Sequence, residues 1–220
     1  SDRHEPSPAE MIHSFSHALP ERWFRMAALL NGASTLGWLA SILSETPAKL
    51  ASEAASAWSA ETPLFLPYLS GERTPHNDPH ARGVFFGLSS ANERADLAAA
   101  TLDGVALALR DAFEALARSG SVSSVMGATG GGTRDKFWLS LIASSLNLPI
   151  EVYGDAASGA AVGAALLARA ASFPLDDLPP LSVSDRIEPN PEMSEILNDR
   201  YSRFTKLYAT TATNRADSSR

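Results

Sequence analysis

Residues 122–149, VSSVMGATGGGTRDKFWLSLIASSLNLP, constrain the fold more than any other stretch of the chain. A short run containing β-branched residues gives way to small ones and then to three consecutive glycines, Gly130, Gly131 and Gly132. Apolar residues follow at helical spacing: Phe137, Trp138, Leu141, Ile142 and Leu146. Strand, glycine turn and helix in that order make a unit that can receive a nucleotide or an anion. Glycines let a ligand approach the backbone, and the first N–H groups of a helix have no internal partner. A glycine turn is also common punctuation that only lets a strand pack on a helix. The rest of the chain has to decide between the two.

Upstream, MIHSFSHALP alternates polar and apolar residues, and ERWFRMAALL follows a turn at Pro20-Glu21, so the pair predicts a β-hairpin. His13 and His17 on such a strand are ordinary strand residues rather than a metal pair. Asn31-Gly32-Ala33-Ser34 then opens a helix to about Leu43, with Asn31 and Ser34 both suited to cap it. This is a second turn of small residues into a helix, so Gly32, Ala33, Ser34 and Gly37 become a second candidate phosphate or ribose contact. Pro47 starts a further helix to about Ala60, read as a packed surface helix.

Leu64 to Leu69 is apolar and extended, with Pro67 confining it to an edge or an irregular strand. A long polar loop, 71–83, follows. Glu72 with Arg73, and Asp78 with Arg82, are expected to tie it down, and His76, Asp78 and His80 make only a weak metal motif. GVFFGL reads as a short strand. Residues 92–118 read as a long helix capped by Asn92, with Leu97, Leu102, Leu109, Phe113 and Leu116 inward. After the glycine unit come a strand at PIEVYG, a helix from Ser158-Gly159, a Pro-rich irregular stretch over 173–191 and an amphipathic helix from Glu192 to about Ala212. Residues 1–10 and 213–220 read as a polar leading segment and a frayed tail. Strands alternating with helices predict an α/β domain with a mixed sheet.

Composition excludes several functions. A formal net charge of -7 argues against a general nucleic-acid binder. The chain has no cysteine, which removes disulfides and thiolate metal sites. No apolar run approaches a membrane span and the first residues carry no signal core, so cytoplasm is the default expectation.

Several motifs, in order, resemble the FGGY carbohydrate kinases and within them the xylulokinase branch. The family's second signature is matched at Gly83, Phe85, Gly87, Leu88, Asp96, Leu97, Ala100, Thr101, Leu102 and Asp103. PYLSGERTPHNDPHARG resembles the xylulokinase form of the segment before it. ATGGGTRDKFW is similar to the family's adenosine motif, SGAAVGAALLA to its closing helix and YSRFTKLY to its C-terminal helix. The likeness spans about Met11 to Tyr208, so 11–212 is taken as a partial C-terminal kinase domain.

The resemblance implies an actin-like, ribonuclease H-like α/β ATPase domain, incomplete on its N-terminal side, from a protein about twice this length. It implies transfer of the ATP γ-phosphoryl group to D-xylulose, with Mg²⁺ on the phosphates. Another sugar or polyol (glycerol, gluconate, ribulose) and a non-catalytic actin-like nucleotide-binding domain are the alternatives. The implied nucleotide site is Gly130, Gly131, Gly132 and Asp135, with Gly32, Ala33, Ser34 and Gly37 added from the other strand-to-helix turn. Asp135 departs from the small or amide residue usual there and would repel a phosphate placed beside it, which favours adenine and ribose at that point. The catalytic base is expected upstream of Ser1, and Glu72, Asp78 and Asp103 are read as structural. The missing N-terminal kinase domain is an expected partner, and a homodimer is left open.

Overall fold

In the computed structural model, which describes residues 1–154, 159–174 and 181–218, a largely buried helix is the hub on which four other helices and a strand pack. That helix, α3 (Arg94–Arg118), is packed by three other helices, α1 (Ser34–Leu43), α2 (Pro47–Ala57) and α4 (Lys136–Leu146). Strand β3 (Leu64–Leu66) and the C-terminal helix α6 (Pro191–Ser218) close the remaining sides. Its sequence, rich in alanine and leucine, suits a helix. The small side chains let neighbours come close on several faces, so Ala98, Ala99, Ala100, Val105, Ala106 and Leu107 are all buried. Gly104 is the closest approach: a Cβ there would run into the Phe65 carbonyl of β3.

Among the described residues the strands form three sheets rather than one. β1 (His13–Ser16) and β2 (Trp23–Met26) make the expected antiparallel hairpin, with Glu21 at positive φ in the turn. Arg25 of β2 holds the hairpin to the end of α3 by donating to Leu116 O and to Ser119 Oγ, at 3.1 and 2.7 Å. β3 pairs antiparallel with β4 (Val84–Phe86), and the rings of Phe65 and Phe85 stack 4.2 Å apart. The third sheet is mixed, as expected: β5 (Met126–Ala128) runs parallel to β6 (Ile150–Tyr153), and β7 (Val183–Ile187) runs antiparallel to β6.

The structure corrects several sequence expectations. β7 lies inside the stretch read as irregular. It is a mostly exposed strand fastened by charge, with Arg186 bonded to Glu151 on the facing strand at 2.7 Å. Hydrophobic alternation therefore carried no signal for it. α6 continues to Ser218, so residues 213–218 are helical rather than frayed. Asn92 does not cap α3; it accepts from Ser89 N, and the N-terminus is closed by Asp96 accepting from Glu93 N at 2.7 Å. The 71–83 loop is closed by reciprocal backbone bonds between Glu72 and Asp78, and its buried Glu72 accepts from backbone N–H groups rather than from the Arg73 side chain. Helix α5 (Gly159–Ala170) follows β6, and Ser158, expected to start it, lies outside the described residues. No helix among the described residues is long and apolar enough to cross a membrane.

Candidate functional site

The glycine stretch does not lead straight into a helix. Gly130 adopts φ 94°, a conformation that favours glycine. Residues Gly131–Arg134 then form a 3₁₀ turn, and only after Asp135 does α4 begin. Asp135 caps α4, its Oδ1 accepting from Trp138 N at 3.0 Å. The α4 N-terminus, expected to face a ligand, is therefore already occupied by the chain's own carboxylate. The three glycines also do different work. Gly132 lies against the Trp138 ring, which a Cβ would strike, whereas Gly131 has no atom near the position of a Cβ. Trp138 is fixed from below by donating Nε1–H to Leu102 O of α3 at 3.1 Å.

Across from this turn stands the entry to α1. Asn31 does not cap it: buried, it donates Nδ2–H to Gly71 O at 2.8 Å. The residue before α1 is Ala33, which offers no capping side chain. The other helix entries nearby are closed, α2 by Thr46 accepting from Lys49 N and α4 by Asp135.

The two turns face one cleft of about 740 Å³. Gly32, Ala33 and Leu36 line one side, and Gly131, Gly132, Asp135 and Phe137 the other. The floor comes from Thr101, Leu102 and Val105 of α3. Ala48, Ala51 and Ala55, spaced along one face of α2, make an apolar wall, with Ser52 beside them. Five of the eight sequence candidates thus meet in one place. Gly130 lies just outside and shapes the turn, while Ser34 and Gly37 do not line the cleft. Sequence reasoning missed the α2 wall and Arg134. The 48, 51, 55 spacing was the available signal, but an alanine face reads equally as packing.

The charged side chains in the cleft's described lining are Arg134, Asp135 and Lys136. Lys136 reaches Asp185 of β7 at 2.6 Å, and that bond holds the Asp185 carboxyl below its usual range. The other carboxylates singled out in the sequence serve the fold. Asp103 is bound by Arg200 and Trp58, Asp78 accepts from Tyr208 Oη, and Glu72 is buried under the loop. His76 lies within 3.1 Å of Tyr68 Oη and 3.2 Å of Asp111. Among the described residues no three His, Asp or Glu side chains gather as metal ligands. A second, smaller cavity of about 280 Å³ between β5, β6 and α5 has no charged residue in its described lining.

The family model for the C-terminal domain of the FGGY family of carbohydrate kinases matches residues 4–172. The chain belongs to the FGGY carbohydrate kinases. Among curated FGGY relatives, the xylulose kinase of Escherichia coli K12 is 40% identical over 209 residues, covering 91% of this chain and 43% of that protein. The xylulose kinase of Klebsiella pneumoniae is 42% identical over 178 residues, 79% of this chain and 36% of its own length. Among solved structures, a xyloylose kinase from Brucella ovis superposes with TM-score 0.89 at 38% identity, over 97% of this chain and 45% of that one. A gluconate kinase from Lactobacillus acidophilus gives 0.81 at 25% identity, over 96% and 44%. The chain thus spans less than half the length of these FGGY kinases, and the actin-like α/β fold expected from its motifs is theirs. The signature that carried the resemblance is largely structural here. Gly87 takes φ 86°, Asp96 caps α3 and Asp103 anchors α6, while Thr101 and Leu102 reach the cleft.

Proposed function

We propose that this chain is the nucleotide-binding part of a sugar kinase that transfers the ATP γ-phosphoryl group to D-xylulose, giving xylulose 5-phosphate. The observation that carries the reading is the convergence of both small-residue turns on one cleft in a chain whose similar curated relatives are xylulose kinases. Phosphoryl transfer is mainly positioning and charge stabilisation, and the cleft's parts suit the positioning of a nucleotide. The apolar α2 wall and the Phe137 side accept a flat base. Asp135, whose Oδ1 is committed to Trp138 N, has its second carboxylate oxygen to accept a ribose hydroxyl. Phosphates belong at the α1 entry, where Gly32 leaves open space and no side chain caps the helix.

Magnesium would arrive on the phosphates. Among the described residues one carboxylate, Asp135, lines the cleft, so they fit an ion held chiefly by ATP rather than by a protein cage. The base that accepts the sugar hydroxyl's proton is assigned to the remainder of the longer protein, since Glu72, Asp78 and Asp103 are engaged in the fold.

A second reading, the same chemistry on gluconate, draws support from the structural likeness to a gluconate kinase. A coupled ADP-release assay on the longer protein, run with xylulose, ribulose, glycerol and gluconate, decides between them. D-xylulose is expected to give the highest kcat/KM. Preference for gluconate by tenfold or more would overturn the substrate assignment.

A further inference from the structure

Resting on the nucleotide reading of the cleft, we propose that Arg134 is a specificity residue that stacks its guanidinium on the purine ring, clamping the base against the α2 alanine face. Three observations point to it. Arg134 lines the cleft, is exposed, and makes no hydrogen bond or ion pair among the described residues. Of the two other charged residues of the described lining, Lys136 is paired with Asp185, and Asp135 gives one carboxylate oxygen to the α4 backbone and keeps the other for a ribose hydroxyl. Arg134 is therefore the cleft's unpaired cation among the described residues.

The neighbourhood decides which part of a nucleotide it meets. Asp135 follows it directly and lines the same cleft, so a phosphate at this end would face a carboxylate. The α1 entry is at the other side, with no acid in its first turn. The wall formed by Ala48, Ala51 and Ala55 is apolar and carries only methyl side chains, a surface for a ring face rather than for a polyanion. A planar, weakly hydrated guanidinium stacks on aromatic faces, which an ammonium does less well. Arg134 ends the 3₁₀ turn whose first residues, Gly131 and Gly132, have no side chains to hold a base. It is the side chain on that turn with the reach and the plane to do so.

The experiment is calorimetric titration of the 220-residue chain with adenosine, AMP and ADP, comparing wild type, Arg134→Ala and Arg134→Lys. Arg134→Ala is expected to weaken all three ligands by the same factor, about three- to tenfold, as loss of a cation–π contact should. Arg134→Lys is expected to recover less than half of that loss on a logarithmic scale. Superimposable melting curves establish that the variants remain folded. Weakening of ADP without adenosine would make Arg134 a phosphate contact and overturn the proposal, as would unchanged affinity for all three. Failure of the nucleotide reading would look different: the wild-type chain itself would bind none of the ligands, and the clamp would fall with it.

Discussion

Glu72 shows how much a single side chain can hide within a polar loop. It is 2% exposed, its Oε1 accepts from Leu30 N and Arg73 N at 2.9 and 2.7 Å, and Oε2 meets no donor. Burial pushes its pKa above the usual carboxylate value, against the pull of those N–H groups. The folded chain therefore keeps a proton that the unfolded chain has already released. Stability should be greatest below the ordinary carboxylate range and fall as pH rises from there through the raised pKa. Glu72→Gln keeps an acceptor for both N–H groups and has no charge to bury. Urea melts from pH 4 to pH 8 should show the variant gaining on wild type as pH rises, and parallel curves would refute this account. Asp103 is a second buried acid that burial pushes above its usual value, here against the pull of a cation, Arg200, and of Trp58. Arg200 donates Nε–H to it at 2.5 Å and spends its other groups on the Thr62 and Pro63 carbonyls. Asp103→Asn removes one charge and strands the other, an expected loss of about 3–5 kcal/mol. A denaturation shift below about 1 kcal/mol would mean that Arg200 finds other compensation.

Among the elements, the turn 130–134 and helix α3 make contrasting demands on glycine. Gly131 has open space at its Cβ position and lines the cleft. Gly131→Val should therefore leave the fold intact while placing a branched side chain where a ligand would lie. Its expected effect is a loss of ATP affinity of at least about tenfold, or 1.4 kcal/mol, by calorimetry on the longer protein. Unchanged affinity would remove the turn from the nucleotide site. Gly104 lies in the middle of α3, where alanine would ordinarily gain about 1 kcal/mol of helix propensity. Here the Cβ would meet the Phe65 carbonyl, a backbone atom of a paired strand that cannot swing aside as a side chain would. Overpacking of this kind costs roughly 1–3 kcal/mol, enough to outweigh the propensity. Gly104→Ala should lower Tm, and a raised Tm would show that β3 yields.

At the scale of the whole molecule, the chain spans less than half the length of the kinases it resembles, and among the described residues one carboxylate lines its cleft. Orientation by a facing domain can be worth about 7 kcal/mol or more, and general base catalysis roughly 10²–10⁴-fold. The 220 residues assayed alone are expected to show no sugar-dependent ADP release with D-xylulose, with the longer protein as the positive control. Turnover within about a hundredfold of that control would place a catalytic carboxylate inside this chain, because the expected loss from base catalysis alone reaches that size.

The order of strands and helices was legible because each has a local cause. The turn at Pro20-Glu21 between two short extended runs made the hairpin, Pro47 and Thr46 started α2, and the apolar spacing after Asp135 made α4. The motifs around Gly83–Asp103 and Gly130–Trp138 likewise lie in consecutive residues, so the family was legible too. Long-range pairing was not. Asn31 looks like a cap until Gly71 is beside it, and Asp103 looks like any helix carboxylate until Arg200, 97 residues later, folds against it. β7 was invisible because it is mostly exposed and a cross-strand ion pair fastens it, with the partner supplied by the facing strand. The cleft depended most on folding. Its wall is an alanine face that resembles packing in any single helix, and only the placement of α2 opposite the glycine turn, around the buried α3, leaves it facing open space.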